Sequence, residues 1–147
     1  MDKYDMLKLD NQLCFALYAC SREITKAYQP HLDKLGLTYT QYVTMLVLWE
    51  SPRISFKELS GKLHLDSGTL TPLLKKLEGN GLVERRRDSS DERSVIISLT
   101  AKGEALKEEA VKIPANMACS TGLSLEEATA LREQLKKLIG QVNDLKE

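Results

Sequence analysis

The residues of this chain best suited to redox and proton chemistry are three cysteines and five tyrosines. Cys14 stands early in "NQLCFALYACSREITKAYQPHL", residues 11–32. Tyr18 follows four residues later and therefore shares its face if the segment is helical. Tyr28 lies fourteen residues on, about 21 Å along the same helix at ~1.5 Å per residue. One helix cannot bring that phenol to the thiol. Two readings of Cys14 stay open at this level. It is a small apolar residue filling a core, with the tyrosines as core aromatics, or it is a thiol kept reactive. If Asp10 caps the helix, Cys14 falls in the first or second turn, where the positive end of the helix dipole favours a thiolate. Attack of a thiolate on a peroxide yields a sulfenic acid. Neutral tyrosine hydroxyls are donors that stabilise a thiolate and align a peroxide oxygen without adding charge.

Cys20 is expected to be a packing residue. It sits six residues beyond Cys14, roughly opposite on the helix and about 9 Å up the axis, past the ~7 Å limit for bridging Cα atoms. Cys119 lies in "IPANMACSTGLS", read as a break between two helices. An odd cysteine count at spacings foreign to zinc sites, with His31 and His64 far apart, leaves structural disulfides, metal and other cofactors without a case.

A second group of residues is basic. The formal net charge is zero, but residues 53–103 hold ten Lys or Arg against seven Asp or Glu, so that segment is +3 and the remainder −3. The cations that matter are Lys75, Lys76, Arg85, Arg86, Arg87 and Arg93.

The elements that must carry these residues are mostly helical. Leu13, Leu17, Cys20, Ile24 and Ala27 recur at helical spacing, with Pro30 discouraging continuation. "LTYTQYVTMLVLWE" offers Thr38 and Gln41 as a capping box before an almost wholly apolar, central helix ending near Ser51-Pro52. Ser55 and Glu58 open a short helix whose Phe56, Leu59 and Leu63 share a face. "DSGTLTPLLKKLEGNGL" follows, with an apolar stripe of Leu70, Leu73, Leu74 and Leu77 and a stop at Gly79 to Gly81. Its start is either Asp66-Ser67 or Thr71-Pro72. Two short helices joined by a brief turn form a helix-turn-helix. "LVERRR" and "SVIISL", joined by the turn-rich "DSSDER", read as a β-hairpin with a charged tip. "TAKGEALKEEAVKI" is then helical up to Pro114. A last helix opens on the capping box Ser124 and Glu127 and repeats Leu131, Leu135, Leu138, Val142 and Leu145, a coiled-coil seam wanting a partner helix.

The fold is thus mainly α with a small β-hairpin wing: a winged helix-turn-helix whose N- and C-terminal helices form a dimerisation region. At 147 residues and 42% apolar composition the chain makes one domain. Residues 1–36 and 105–147 are the dimerisation helices and 37–104 the DNA-binding lobe. The second helix of the pair fits a major groove, where Ser67, Thr69, Thr71 and Lys75 approach base edges or phosphates. Lys76 and Arg85 to Arg87 suit phosphates, and hairpin arginines reach backbone or minor groove. The bland alternative is that these are solvated faces of a helix and an edge hairpin. The longest apolar run, "YVTMLVLW", is far short of a ~20-residue membrane span, and the charged N-terminus lacks a signal peptide's apolar region, so a cytosolic protein with no membrane partner is expected.

Residues 66–103, "DSGTLTPLLKKLEGNGLVERRRDSSDERSVIISLTAKG", resemble the recognition helix and wing of the MarR family of bacterial transcriptional regulators, down to Asp91-Glu92-Arg93 at the wing tip. The similarity runs through the whole chain. "LDNQLCFALYACSREITKAYQPHLDKLGLTYTQY" is similar to the organic hydroperoxide resistance branch, whose reactive cysteine in the first helix is matched by Cys14. The resemblance implies a homodimer on a palindromic double-stranded operator, repression of a peroxide-detoxifying gene, and release when an organic hydroperoxide oxidises the thiol. It favours the recognition-helix start near Asp66. It also implies that residues matching Tyr28 and Tyr39 hydrogen-bond the thiol from the partner subunit, so that a dimer builds the sensor. Asp91 and Arg93 become a pair that shapes the wing and aims the arginine at the minor groove. Cys119 resembles the resolving cysteine of a two-cysteine subtype, which closes an intersubunit disulfide. One-cysteine relatives instead form mixed disulfides with low-molecular-weight thiols, and Cys119 is then incidental. A rival within the family senses a small aromatic ligand, with incidental cysteines. A thiol peroxidase is disfavoured by the lack of any βαβ pattern.

Overall fold

Three-residue periodicities dominate the chain because most of its apolar residues fall at i, i+3 and i+4, and the computed structural model, which describes residues 2–91 and 93–146, is correspondingly helical. Glu92, part of the wing-tip motif, lies outside the described residues. The contacts divide the chain into two compact units, up to Val111 and from Lys112 onward.

The first unit begins with two 3-10 turns, Lys3–Leu7 and Leu9–Asn11, and then α1, Leu13–Asp33. Asp10 is not the cap expected of it. It sits inside the second turn, and Gln12 takes the N-cap position with no side-chain cap bond. The helix also runs through Pro30. A proline there removes a single hydrogen bond within the last turn, and Leu32 beyond it is fully buried against the rest of the unit, which holds the turn in place.

Thr38 caps α2, Tyr39–Glu50, through the predicted reciprocal box: Gln41 N–H donates to Thr38 Oγ1 at 3.3 Å and Thr38 N–H to Gln41 Oε1 at 3.0 Å. Tyr42, Met45 and Leu48 of this helix are buried, so it is central as expected. A strand that alternation could not reveal follows: β1, Arg53–Ser55, is only three residues long. Ser55 also caps α3, Phe56–Leu63, accepting from Glu58 N–H at 3.1 Å. The left-handed His64 (φ 54°) ends that helix, and α4, Ser67–Gly79, starts at the earlier of the two expected positions, because Asp66 Oδ1 accepts from Thr69 N–H at 2.8 Å. Pro72 therefore lies inside α4, on its exposed side.

The wing is β2, Val83–Arg87, and β3, Val95–Leu99, paired antiparallel from Val83 opposite Leu99 to Arg87 opposite Val95. The sheet order is β1-β3-β2, with Ile54 opposite Ile97. Helix α5, Ala101–Ala110, is capped by Thr100, and Trp49 Nε1 donates to Gly103 O at 2.9 Å, tying α2 to it. The core joins Leu48, Leu59, Leu70, Leu74, Leu77 and Ile97, all fully buried.

In the second unit, α6 spans Ile113–Thr121 and α7 Leu125–Asp144. The helix expected to run to Pro114 stops at Ala110, and Pro114 instead falls in the first turn of α6, where a missing N–H costs nothing. Cys119 is thus helical rather than in a break; the break is Gly122 (φ 69°) to Ser124. The Ser124–Glu127 box is present in both directions at 3.1 Å. Among the described residues, no helix is long and apolar enough to cross a membrane.

Candidate redox site and nucleic-acid interface

Cys14 is the second residue of α1 and is exposed. The Gln12 side chain that precedes it turns back, donating to Met6 O at 2.6 Å and Lys8 O at 2.9 Å, so it fixes the approach of the chain instead of capping the helix. The first-turn N–H groups of α1 therefore have no side-chain cap. Tyr18 shares the face as predicted. Its hydroxyl accepts from Arg22 Nη1 at 3.1 Å, the guanidinium lies 5.5 Å from the ring centroid, and Phe15 packs at 6.4 Å between ring centroids. Cys20, expected as a packing residue, is exposed in the chain, as are Leu13 (66%) and Ile24 (40%) on the α1 stripe. Of that stripe only Leu17 is half-buried; Leu13, Cys20, Ile24 and Ala27 are exposed.

Tyr28 and Tyr39 are brought together, with ring centroids 5.0 Å apart. Tyr42 completes a cluster at 5.8 and 6.4 Å from them. Burial, and secondarily the neighbouring Tyr39, raises the Tyr28 phenol above its ordinary value; burial, then Tyr28 and Tyr39, pushes Tyr42 up to about 12. Tyr28 and Tyr42 are therefore neutral donors across the physiological range. The structure joins the two tyrosines read from sequence to each other and not to Cys14, which is about 21 Å away along α1. Tyr42 was legible only as the start of an apolar run; its i+3 spacing from Tyr39 was the available signal.

On α4, Leu70, Leu73, Leu74 and Leu77 are buried while Ser67, Thr69, Lys75 and Lys76 are exposed and Thr71 is half-buried. The apolar stripe thus turns a polar face outward. Arg85 behaves differently from its neighbours: Glu78 accepts its backbone N–H at 3.1 Å and its Nε and Nη2 at 3.3 and 3.0 Å, locking β2 to the end of α4. These bonds hold the Glu78 carboxyl below its ordinary range. Arg86 pairs with Glu84 at 3.2 Å and is exposed; Arg87 and Arg93 are also exposed. At the wing tip Asp91 Oδ1 accepts from Arg93 N–H at 3.0 Å, so the two residues are linked through the backbone. Asp88, not singled out from sequence, accepts from Ser90 N–H (3.0 Å) and Oγ (2.8 Å), and those bonds lower its carboxyl.

A helix-turn-helix whose second helix presents short polar residues and lysines, flanked by an arginine-bearing hairpin, defines a winged-helix DNA-binding regulator. Residues 26–110 match the family described as transcriptional regulator SarA/Rot. The chain is 51% identical over 138 residues, 94% of each protein, to the organic hydroperoxide resistance transcriptional regulator of Bacillus subtilis (strain 168). A solved structure of reduced AbfR bound to DNA aligns with TM-score 0.81 at 35% identity, covering 99% of this chain and all of that one; AbfR has also been solved from Staphylococcus epidermidis. A disulfide-formed AbfR structure aligns with TM-score 0.65 at 38% identity over 93% and 96%. The chain belongs to the MarR-type SarA/Rot family of transcriptional regulators, on the organic hydroperoxide resistance branch.

Proposed function

We propose that this protein is a cytoplasmic homodimeric repressor that holds a palindromic operator while Cys14 is reduced and releases it when an organic hydroperoxide oxidises that thiol. The observation that carries the reading is the placement of Cys14: exposed, two residues inside an α-helix whose N-terminal N–H groups have no side-chain cap. In the first step the Cys14 thiolate attacks the peroxide and, with one proton taken up, becomes a sulfenic acid while the hydroperoxide leaves as an alcohol. In the second, a thiol condenses with the sulfenic acid, forming an S–S bond and water. Cys119 of the partner subunit is the proposed resolving thiol; a low-molecular-weight thiol is the alternative. Tyr18 on the same face, and the partner's Tyr28 and Tyr39, orient the reacting oxygen and donate to the thiolate.

DNA contact follows from the outward face of α4. Ser67, Thr69, Thr71 and Lys75 address the major groove, Lys76 and the hairpin arginines Arg86 and Arg87 the phosphates, and Arg93 the minor groove with the wing tip shaped by Asp91. Arg85 serves by bracing the hairpin on Glu78. Residues 37–104 form the DNA-binding lobe, and 1–36 with 105–147 carry the dimer contacts.

The test is an operator titration of reduced protein, repeated after one equivalent of organic hydroperoxide. Wild type loses binding, Cys14→Ser keeps it, and a dimer-sized band on a non-reducing gel disappears in Cys119→Ser. Binding that survives oxidation in wild type overturns the redox reading and redirects attention to release by a small aromatic ligand.

A further inference from the structure

Tyr18 is 58% exposed, yet both sides of its phenol are held from within α1. Phe15, three residues before it, packs at 6.4 Å between ring centroids. Arg22, four residues after it, places its guanidinium 5.5 Å from the ring centroid and donates from Nη1 to the phenol oxygen at 3.1 Å. An arginine fork ordinarily seeks a carboxylate. Here both acids of α1 are engaged by other residues, Glu23 Oε1 by Lys26 Nζ at 3.3 Å and Asp33 Oδ1 by Gln29 Nε2 at 2.6 Å, and among the described residues Arg22 makes no salt bridge. Its hydrogen bond goes to a phenol instead. A phenol oxygen that accepts from a cation keeps its own O–H for an acceptor elsewhere. Long side chains on a helix lean toward its N-terminus, so the ring of Tyr18 covers the turn that carries Cys14 at i−4.

We propose that Arg22 is a positioning residue of the thiol switch: it holds the Tyr18 phenol by its oxygen and so presents the O–H over Cys14, to the peroxide oxygen that leaves. The inference rests on the redox reading above and deepens it. As the Cys14 thiolate attacks the terminal peroxide oxygen, the S–O bond forms and the O–O bond breaks, its electron pair passing to the departing oxygen. Negative charge thus moves off sulfur and onto an alkoxide, to which Tyr18 donates; a proton from solvent completes the alcohol, and Tyr18 keeps its own. A bond accepted from a guanidinium polarises the phenol and strengthens the bond it donates. The effect is confined to a step that builds charge on oxygen. Attack of the same thiolate on a carbon electrophile that releases iodide gains nothing from it.

The parent for the test is the full chain carrying Cys20→Ser and Cys119→Ser, in which Cys14 is the single thiol and its sulfenic acid stays unresolved. Oxidation by tert-butyl hydroperoxide is timed by trapping the sulfenic acid with a 1,3-diketone, and alkylation by iodoacetamide is timed on the same protein. Arg22→Gln is expected to slow oxidation roughly tenfold, the loss of one charge-assisted hydrogen bond. Alkylation should change by about twofold at most, since a charge eight residues along the helix, about 12 Å away, acts only weakly on the thiolate through water. Tyr18→Phe should slow oxidation at least as much, and adding Arg22→Gln to it should change nothing further, because the arginine acts through the phenol oxygen. Oxidation of Arg22→Gln at the parent rate, an equal fall in alkylation, or two losses that multiply in the double variant would each overturn the positioning role and leave the redox reading in place. If the parent forms no sulfenic acid, both fall.

Discussion

At the scale of single residues, the phenols of Tyr28, Tyr39 and Tyr42 form one cluster. Tyr42 is buried against Tyr28 and Tyr39, and that burial, more than the neighbouring phenols, raises it from an ordinary 10.0 to about 12. A folded-state value above the unfolded one means that the cluster's contribution to stability is complete below pH 10 and disappears as the pH rises through about 12. Alkaline titration followed by phenolate absorbance should therefore show a phenol ionising near 12 that is missing from Tyr42→Phe, with Tyr28 ionising lower in the variant as its cover thins. A phenol that still ionises near 12 in Tyr42→Phe would exclude this assignment. In the proposed function the same shift keeps Tyr28 a neutral donor toward the partner's thiolate.

At the scale of elements, two contacts decide how the wing is held. Glu78 at the end of α4 grips both the backbone and the guanidinium of Arg85 on β2, and its lowered carboxyl sets the sign of the pH effect: the link is present above the ordinary carboxylate value and is lost as pH falls through the lower folded one. Glu78→Gln should weaken operator binding by mis-setting the hairpin, and the wild-type protein should approach the variant's affinity in acid; equal affinities at every pH would remove the brace from the account. Gly103 is the second contact. A Cβ there would lie 2.3 Å from Leu82 O and 2.7 Å from Leu99 Cδ1, so Gly103→Ala should destabilise the lobe by about 3 kcal/mol, the upper end of overpacking costs, in urea unfolding. Neither contact was readable in advance, since Glu78 and Arg85 are seven residues apart in different elements and Gly103 looks like one more polar-helix residue. What could be read was local: the Thr38 and Ser124 boxes, the leucine stripe of α4 and the hairpin alternation all depend on neighbours within four residues. β1 failed that test by being three residues long, and Asp10 failed it because the 3-10 turn before α1 moved the cap to Gln12.

At the scale of the whole molecule, the chain is an incomplete object. No residue of α7 is buried within it, and Leu131 (45% exposed), Val142 (45%) and Leu145 (85%) of its heptad seam face outward, as do Leu13 and Phe15 beside Cys14 on α1. Exposed apolar faces of this length mark an interaction surface, and the proposed dimer covers them with the matching faces of a second copy. In the proposed function the coupling between redox state and DNA follows from symmetry: two α4 helices must stand about 34 Å apart to enter successive major grooves, so a distortion between subunits weakens every contact at both half-sites together. Val142→Glu puts a charge into the seam and, with no α7 side chain serving the internal core, spares the winged lobe. Sedimentation equilibrium is expected to show a monomer. Its operator affinity should fall by about 10²–10⁴, the loss of effective concentration when two tethered half-sites become two separate binding events, and its salt slope should be roughly half that of wild type because half the phosphates are engaged. A Val142→Glu protein that sediments as a dimer places the subunit contact elsewhere; one that is monomeric yet binds the full operator as tightly as wild type shows that the two half-sites are read independently, and that oxidation must act within a single lobe.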